Sequence, residues 1–245
     1  GLSQERAYGI GALGVGTDYG NTMTMQYGLD VSSHPNVQYH LPADLLPLGI
    51  TAKVGYAPNM TDGQGNSFKN AGPVSPLADA GNQMTGYTVG IAPIDGLTIA
   101  ADYHETDGQL TTAVQEAQSG NVGAQYAMGN FKVGYNKGYY GVGLSDKNAS
   151  VSKYENNAWG IEFAVNDALS ISYNEEKSKA FTDVAIASGA STGTKTTVES
   201  EIEVMQVAYV FGGATLGFHV ADTGNADYVA NKDEKVTIFT IAMDF

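Results

Sequence analysis

Apolar and polar side chains alternate along this chain in runs of about ten residues, and a period of two belongs to an extended strand with two unlike faces. Leu97, Ile99, Ala101 and Tyr103 alternate with Thr98, Ala100, Asp102 and His104. Val122, Ala124, Tyr126 and Met128 alternate with Gly123, Gln125 and Ala127, and Phe131, Val133 and Tyr135 with Lys132, Gly134 and Asn136. The same holds for Trp159, Ile161, Phe163 and Val165, and for Leu169, Ile171 and Tyr173. No stretch has a helical period. The chain reads as all-β, with strands long enough to cross a membrane at a tilt.

The connections sharpen this reading. Pro93-Ile94-Asp95-Gly96, Gly129-Asn130, Asn166-Asp167 and Gly212-Gly213 are tight turns, built from residues that accept positive φ or pre-set a turn. Between them run polar loops over roughly 58–82, 105–120, 139–155, 178–198 and 223–234. Tight turns at one end and long loops at the other is the asymmetry of an outer-membrane barrel. A soluble barrel or sandwich also alternates, but has no reason to segregate its connections by end. Aromatics further mark two rims of the apolar face: Tyr56, Tyr87, Tyr103, Tyr135, Trp159 and Tyr173 toward the loops, Phe131, Phe211 and Phe245 toward the turns.

No window approaches the roughly 18 apolar residues of a membrane-spanning helix, so any crossing must be made by a closed barrel. With 12 Lys+Arg against 26 Asp+Glu and a net charge of −14, nucleic acid is excluded as a partner. The absence of cysteine decides little. The start, GLSQERAYG, has neither basic n-region nor apolar h-region, so no signal peptide is read there. One strand is irregular. Ile202 and Val204 share a parity, after which the apolar parity passes to Met205, Val207, Tyr209 and Phe211; either a β-bulge near Val204 restores the phase, or the acidic part projects above the membrane.

The chain ends in Lys235-Val236-Thr237-Ile238-Phe239-Thr240-Ile241-Ala242-Met243-Asp244-Phe245. This resembles the C-terminal signature strand of bacterial outer-membrane proteins, which implies recognition by the barrel assembly machinery through Phe239, Ile241, Met243 and Phe245. The segment from Asn21 to Tyr56 (NTMTMQYGLDV, SSHPNVQYHLP, ADLLPLGITAKVGY) resembles the Gram-negative general trimeric porins just after their constriction loop. Met23, Met25, Tyr27, Leu29, Val31, Val37, Tyr39 and Leu41 keep one parity and can form one long strand. The resemblance implies a transmembrane antiparallel barrel, 16-stranded in the family, of which this chain carries about 11 strands. In that account 1–245 is one domain, with 1–20 the end of the constriction loop and 21–245 the barrel strands. The alternative adds Arg6–Gly16 as a strand and closes a 12-stranded barrel.

The resemblance implies a homotrimeric porin in outer-membrane lipid that passes ions and small hydrophilic solutes by diffusion. Lys53, Asp102, Gln125, Lys132, Glu162, Glu176 and His219 take the inward parity as candidate pore-lining residues, and Glu5, Arg6 and Asp18 lie on the constriction loop. Where porins place arginines, Gln26 and Asp30 stand instead, which argues against a strong anion preference; with Asp102, Glu162 and Glu176 against Lys53 and Lys132 on the inward parity, a mild cation preference is expected. The four histidines, His34, His40, His104 and His219, fall in no nucleophile or metal motif, so the chain reads as a non-enzyme without cofactor or metal. No row of aromatics is visible on the lumen parity. A substrate-specific channel, or a barrel serving as adhesin or surface antigen, are the alternatives.

Overall fold

A computed structural model describes residues 28–42, 45–58, 83–107, 116–142, 150–183 and 196–243. They form one antiparallel sheet of 11 strands: β1 (Val37–His40), β2 (Thr51–Ala57), β3 (Gln83–Ile94), β4 (Leu97–Asp107), β5 (Gln118–Met128), β6 (Phe131–Gly141), β7 (Ser150–Ala164), β8 (Leu169–Asp183), β9 (Thr196–Phe211), β10 (Ala214–Gly224) and β11 (Glu234–Met243). Every strand pairs with its neighbour in sequence. Among the described residues the sheet is open, with β1 and β11 at its edges. The strand suggested for Arg6–Gly16 lies outside them.

Connections segregate as the sequence implies. At one end Gly96, Gly129, Gly212 and Gly213 turn at positive φ, and Asn166 Oδ1 accepts from the backbone N–H of Ala168 and Leu169 at 2.9 and 3.0 Å. The β1–β2 connection closes at this end too, where Ala92 N–H donates to the Leu48 carbonyl at 3.1 Å. At the other end the strands run further than the sequence showed. β7, β8 and β9 continue through Ser150–Ala164, Leu169–Asp183 and Thr196–Phe211, well into the stretches read as loops. Their outward side chains there are Lys153, Glu155, Glu175, Lys177, Glu201 and Glu203, so the ladder goes on in water where the apolar alternation has stopped.

Burial alternates strictly along the central strands, and the two faces differ in kind. Outward stand Tyr87, Val89, Ile99, Val122, Val133, Tyr135, Trp159, Ile161, Ile171, Met205 and Tyr209, all exposed. On β9 this apolar stretch runs from Met205 to Phe211, about 20 Å at roughly 3.4 Å per residue. It is edged by aromatic pairs: Trp159 against Tyr173 on the loop side at 5.4 Å between centroids, and Phe131 stacked on Phe163 on the turn side at 4.5 Å. Water offers no reason to expose such a band, whereas a bilayer core does. The face enclosed by the sheet carries Thr88, Asp102, Asn121, Asn136, Asn156, Ser172, Asn174 and Gln206, all buried.

Two expectations fail. No bulge occurs near Val204, since the β8–β9 and β9–β10 registers are continuous there. Ile202 and Val204 simply face inward, packed with Ala221 and Ala226 under the short 3-10 turn Ala226–Tyr228. The long strand proposed across Leu29–Leu41 does not form either. Gly28 turns at φ 144°, Asp30 accepts from Ser32 N–H at 2.9 Å to cap a 3-10 turn at Val31–Ser33, and Pro35 offers no N–H, so pairing begins only at Val37. Met23, Met25 and Tyr27 lie outside the described residues.

Candidate functional site

All seven residues singled out for the inward parity stand on the enclosed face, but they are not equivalent. Lys132 and Glu162 are register partners on β6 and β7, and their charged ends meet at 3.0 Å. They largely cancel one another. The Asp102 carboxylate on β4 accepts from Asn121 Nδ2 at 3.2 and 3.4 Å and lies 3.8 Å from His104 Nε2. His104 is therefore not isolated, as its sequence position implied; strand period two puts it on the same face as Asp102. Glu176 on β8 is 1% exposed, level with Ala158 and Ile202. His219 on β10 is buried opposite Gln206, Gln125 pairs with Gly134, and half-buried Lys53 lies between His40 and Thr88. Glu5, Arg6 and Asp18 lie outside the described residues.

Residues 28–34 leave the sheet and lie against this face. Leu29 N–H donates to Ser119 Oγ at 2.9 Å, and Val31 sits over Gly86, where an added Cβ would stand 2.8 Å from Val31 Cγ2 and 2.5 Å from His104 Nδ1. Leu29 and Val31 are fully buried with Ala57, Met84, Ala117, Tyr140, Tyr154 and Ala180. The loop end of the enclosed space is thus filled by an infolded apolar segment. Toward the turns Thr98 and Ala127 are open to solvent on the same face.

A second segment folds in from β10. Asn225, Asp227, Tyr228 and Asn231 all take positive φ without being glycine. For a bulky tyrosine that conformation is strained, and it is held by what the side chain gains. Tyr228 shares a 2.7 Å hydroxyl hydrogen bond with Ser178 and tilts against Tyr154 at 5.1 Å, which in turn stacks on Tyr140 at 6.0 Å. This inward aromatic row escaped the sequence reading, because its members come from β6, β7 and a loop. The amides Asn121, Asn156 and Asn174 escaped too; only their parity marked them.

At the loop end of the outward face, Lys177 lies 2.7 Å from Glu175 and 2.8 Å from Glu201. Those two hydrogen-bonded carboxylates hold its ammonium above the usual lysine range. Carboxylate oxygens of Glu175, Glu201 and Glu203 come within 4.8 Å of one another.

No protein-family model matches the chain, and no curated protein matches it in sequence. Among solved structures it is similar to OmpF of Salmonella typhi, in a complex with daunomycin, at TM-score 0.56 and 15% identity over 84% of this chain. The match spans 61% of that structure's chain, less than two thirds of its length. It is also similar to the outer-membrane expressed OmpT of Vibrio cholerae, at TM-score 0.53 and 14% identity, covering 96% of this chain and 70% of the other. With its apolar outside, its enclosed polar face and these likenesses, the chain has the fold of the bacterial outer-membrane β-barrels, and its place is the outer membrane.

Proposed function

We propose that the chain forms the wall of a general-porin-type channel, through which ions and small hydrophilic solutes diffuse without catalysis or cofactor. The contrast between the two faces of one sheet carries this reading. A packed soluble core would bury the apolar face; here that face is exposed and the enclosed one bears amides, hydroxyls and paired charges. The infolded residues 28–34 serve as a narrowing of the lumen, as the resemblance to porins implies for the chain before them. A homotrimer belongs to the same proposal, as does delivery by the barrel assembly machinery. Phe239, Ile241 and Met243 support the latter by standing in one exposed row on β11; Phe245 lies outside the described residues.

Conductance of the folded protein in planar bilayers tests the reading. Stepwise openings whose size scales with salt are the expected result. A correctly folded protein that never conducts would overturn it in favour of a surface adhesin or antigen. A solute-selective channel is the alternative, and the Tyr140–Tyr154–Tyr228 row does not favour it, because Tyr140 and Tyr154 are buried in the packed loop-end cluster. Saturable block of the current by an oligosaccharide would mark that case.

A further inference from the structure

On β5 the outward residues Gly120 and Ala124 are small where their register neighbours are large. Gly120 stands between Tyr103 and Tyr139 in the register and Ala124 between Ile99 and Tyr135, with Val122 between Ala101 and Lys137 separating them. The strand is therefore the floor of a trough. Its lower part, floored by Ala124 and walled by Leu97, Tyr126, Tyr135 and Trp159, is an almost wholly apolar hollow of about 340 Å³. Directly above it on the loop side is a second hollow of about 610 Å³, lined by Tyr103, Gly120, Val122, Tyr139, Lys137 and Lys153. From Gly120 to Tyr126 the two hollows, met at Val122 and closed below by Tyr126, together span about 20 Å along β5, comparable to an extended acyl chain.

Charge places the head of the occupant. This chain is acidic, with 12 basic residues against 26 acidic, yet Lys137, Lys153, Lys177 and Lys179 gather on the outward face of adjoining strands β6, β7 and β8. Lys177 is committed to Glu175 and Glu201, and Lys153 lies 2.6 Å from Glu155. Among the described residues Lys137 is in no ion pair. Lysines just above an aromatic rim stand at the depth of lipid headgroups, where they attract anionic ones.

We propose that this trough binds an anionic, phosphate-bearing acyl lipid of the loop-side leaflet, its chain over Ala124 and beside Trp159, its phosphate on Lys137 and Lys153. Glu155 competes for Lys153, so the phosphate draws that ammonium away from it. The site depends on the membrane barrel and not on conduction through the lumen.

Trp159 is the chain's single tryptophan, which makes the lower trough directly readable. The full chain is reconstituted in phosphatidylcholine vesicles containing a brominated-chain phosphatidic acid, or an equal amount of brominated phosphatidylcholine, and quenching of Trp159 is compared. The phosphatidic acid should quench at much lower mole fraction. Lys137→Gln and Lys153→Gln should each weaken its apparent binding about fivefold, the ratio that roughly 1 kcal/mol per lysine implies. Glu155→Gln should strengthen it. Ala124→Leu, which fills the floor, should abolish the preference while the heat-modifiable electrophoretic shift shows the barrel still folded. Equal quenching by both lipids overturns the proposal. So does displacement of the lipid effect by inorganic phosphate at matched concentration, which would make this a free-anion site, or a fall in oligomer mass in Ala124→Leu with no change in quenching, which would make the trough a contact between copies.

Discussion

In the proposed channel, single residues decide how the enclosed face treats ions. Because Glu162 and Lys132 meet at 3.0 Å across β6 and β7, neither acts alone on a passing ion. Glu162→Gln frees the lysine, and we expect the reversal potential in a salt gradient to move toward anions; no movement would place the pair away from the conducting path. Gly86→Ala pushes a methyl between His104 and Val31, both held by packed surroundings, so residues 28–34 should be displaced. The expected outcome is a larger single-channel conductance, with a thermal midpoint in detergent lowered by a few degrees. On the outer surface, Lys177 keeps its proton beyond the usual lysine range, so its bridges persist below ordinary lysine titration and fail only as pH rises through that raised value. Lys177→Met removes both bridges and leaves Glu175, Glu201 and Glu203 crowded without their cation, so the thermal midpoint in detergent should fall. An unchanged midpoint would show that water screens the bridges.

At the level of strands, facing sets the cost of a charge. Ile99→Lys or Phe163→Lys introduces an ammonium on the lipid side and should destabilise the folded barrel by about 2–4 kcal/mol near mid-membrane. Thr98→Lys, on the opposite parity and open to solvent, should be nearly neutral in the same denaturant titration. Ser172→Lys should not be neutral, although its parity is the same, because Ser172 is buried and donates to Gln206 Oε1 at 3.3 Å. Strand facing was legible in the sequence wherever lipid forces outward residues to be apolar. It ceased to be legible above the rim, where water accepts Glu175 and Lys177 on the outside and the loop residue Ala226 covers Ile202 and Val204 within. Leu29 and Val31 had the right parity for a strand and misled for that reason, although Gly28 and Pro35 already opposed one. The Lys132–Glu162 pair needed the register, which no single strand contains. Of the candidate site, parity gave the membership and tertiary pairing gave the roles.

For the molecule as a whole, the sheet is a run of hairpins and the proposed trimer is a separate matter. Native mass measurement in detergent should give three copies per particle; one copy would leave the porin resemblance without its assembly. A net charge of −14 makes the chain as a whole repel polyanions in bulk solution, while on the outward loop end lysines and glutamates are interleaved. Timing separates the sheet from what lies inside it. Each strand pairs with the next, so the wall can zip from either end through short closures. The contact from Leu29 to Ser119 spans 90 residues and has no partner surface until β3, β4 and β5 stand side by side. Infolding of residues 28–34 therefore comes last. Newly inserted barrels should pass through a wide-lumen stage, in which a protease added from the loop side still cuts near Leu29, before the passage narrows and that cleavage stops.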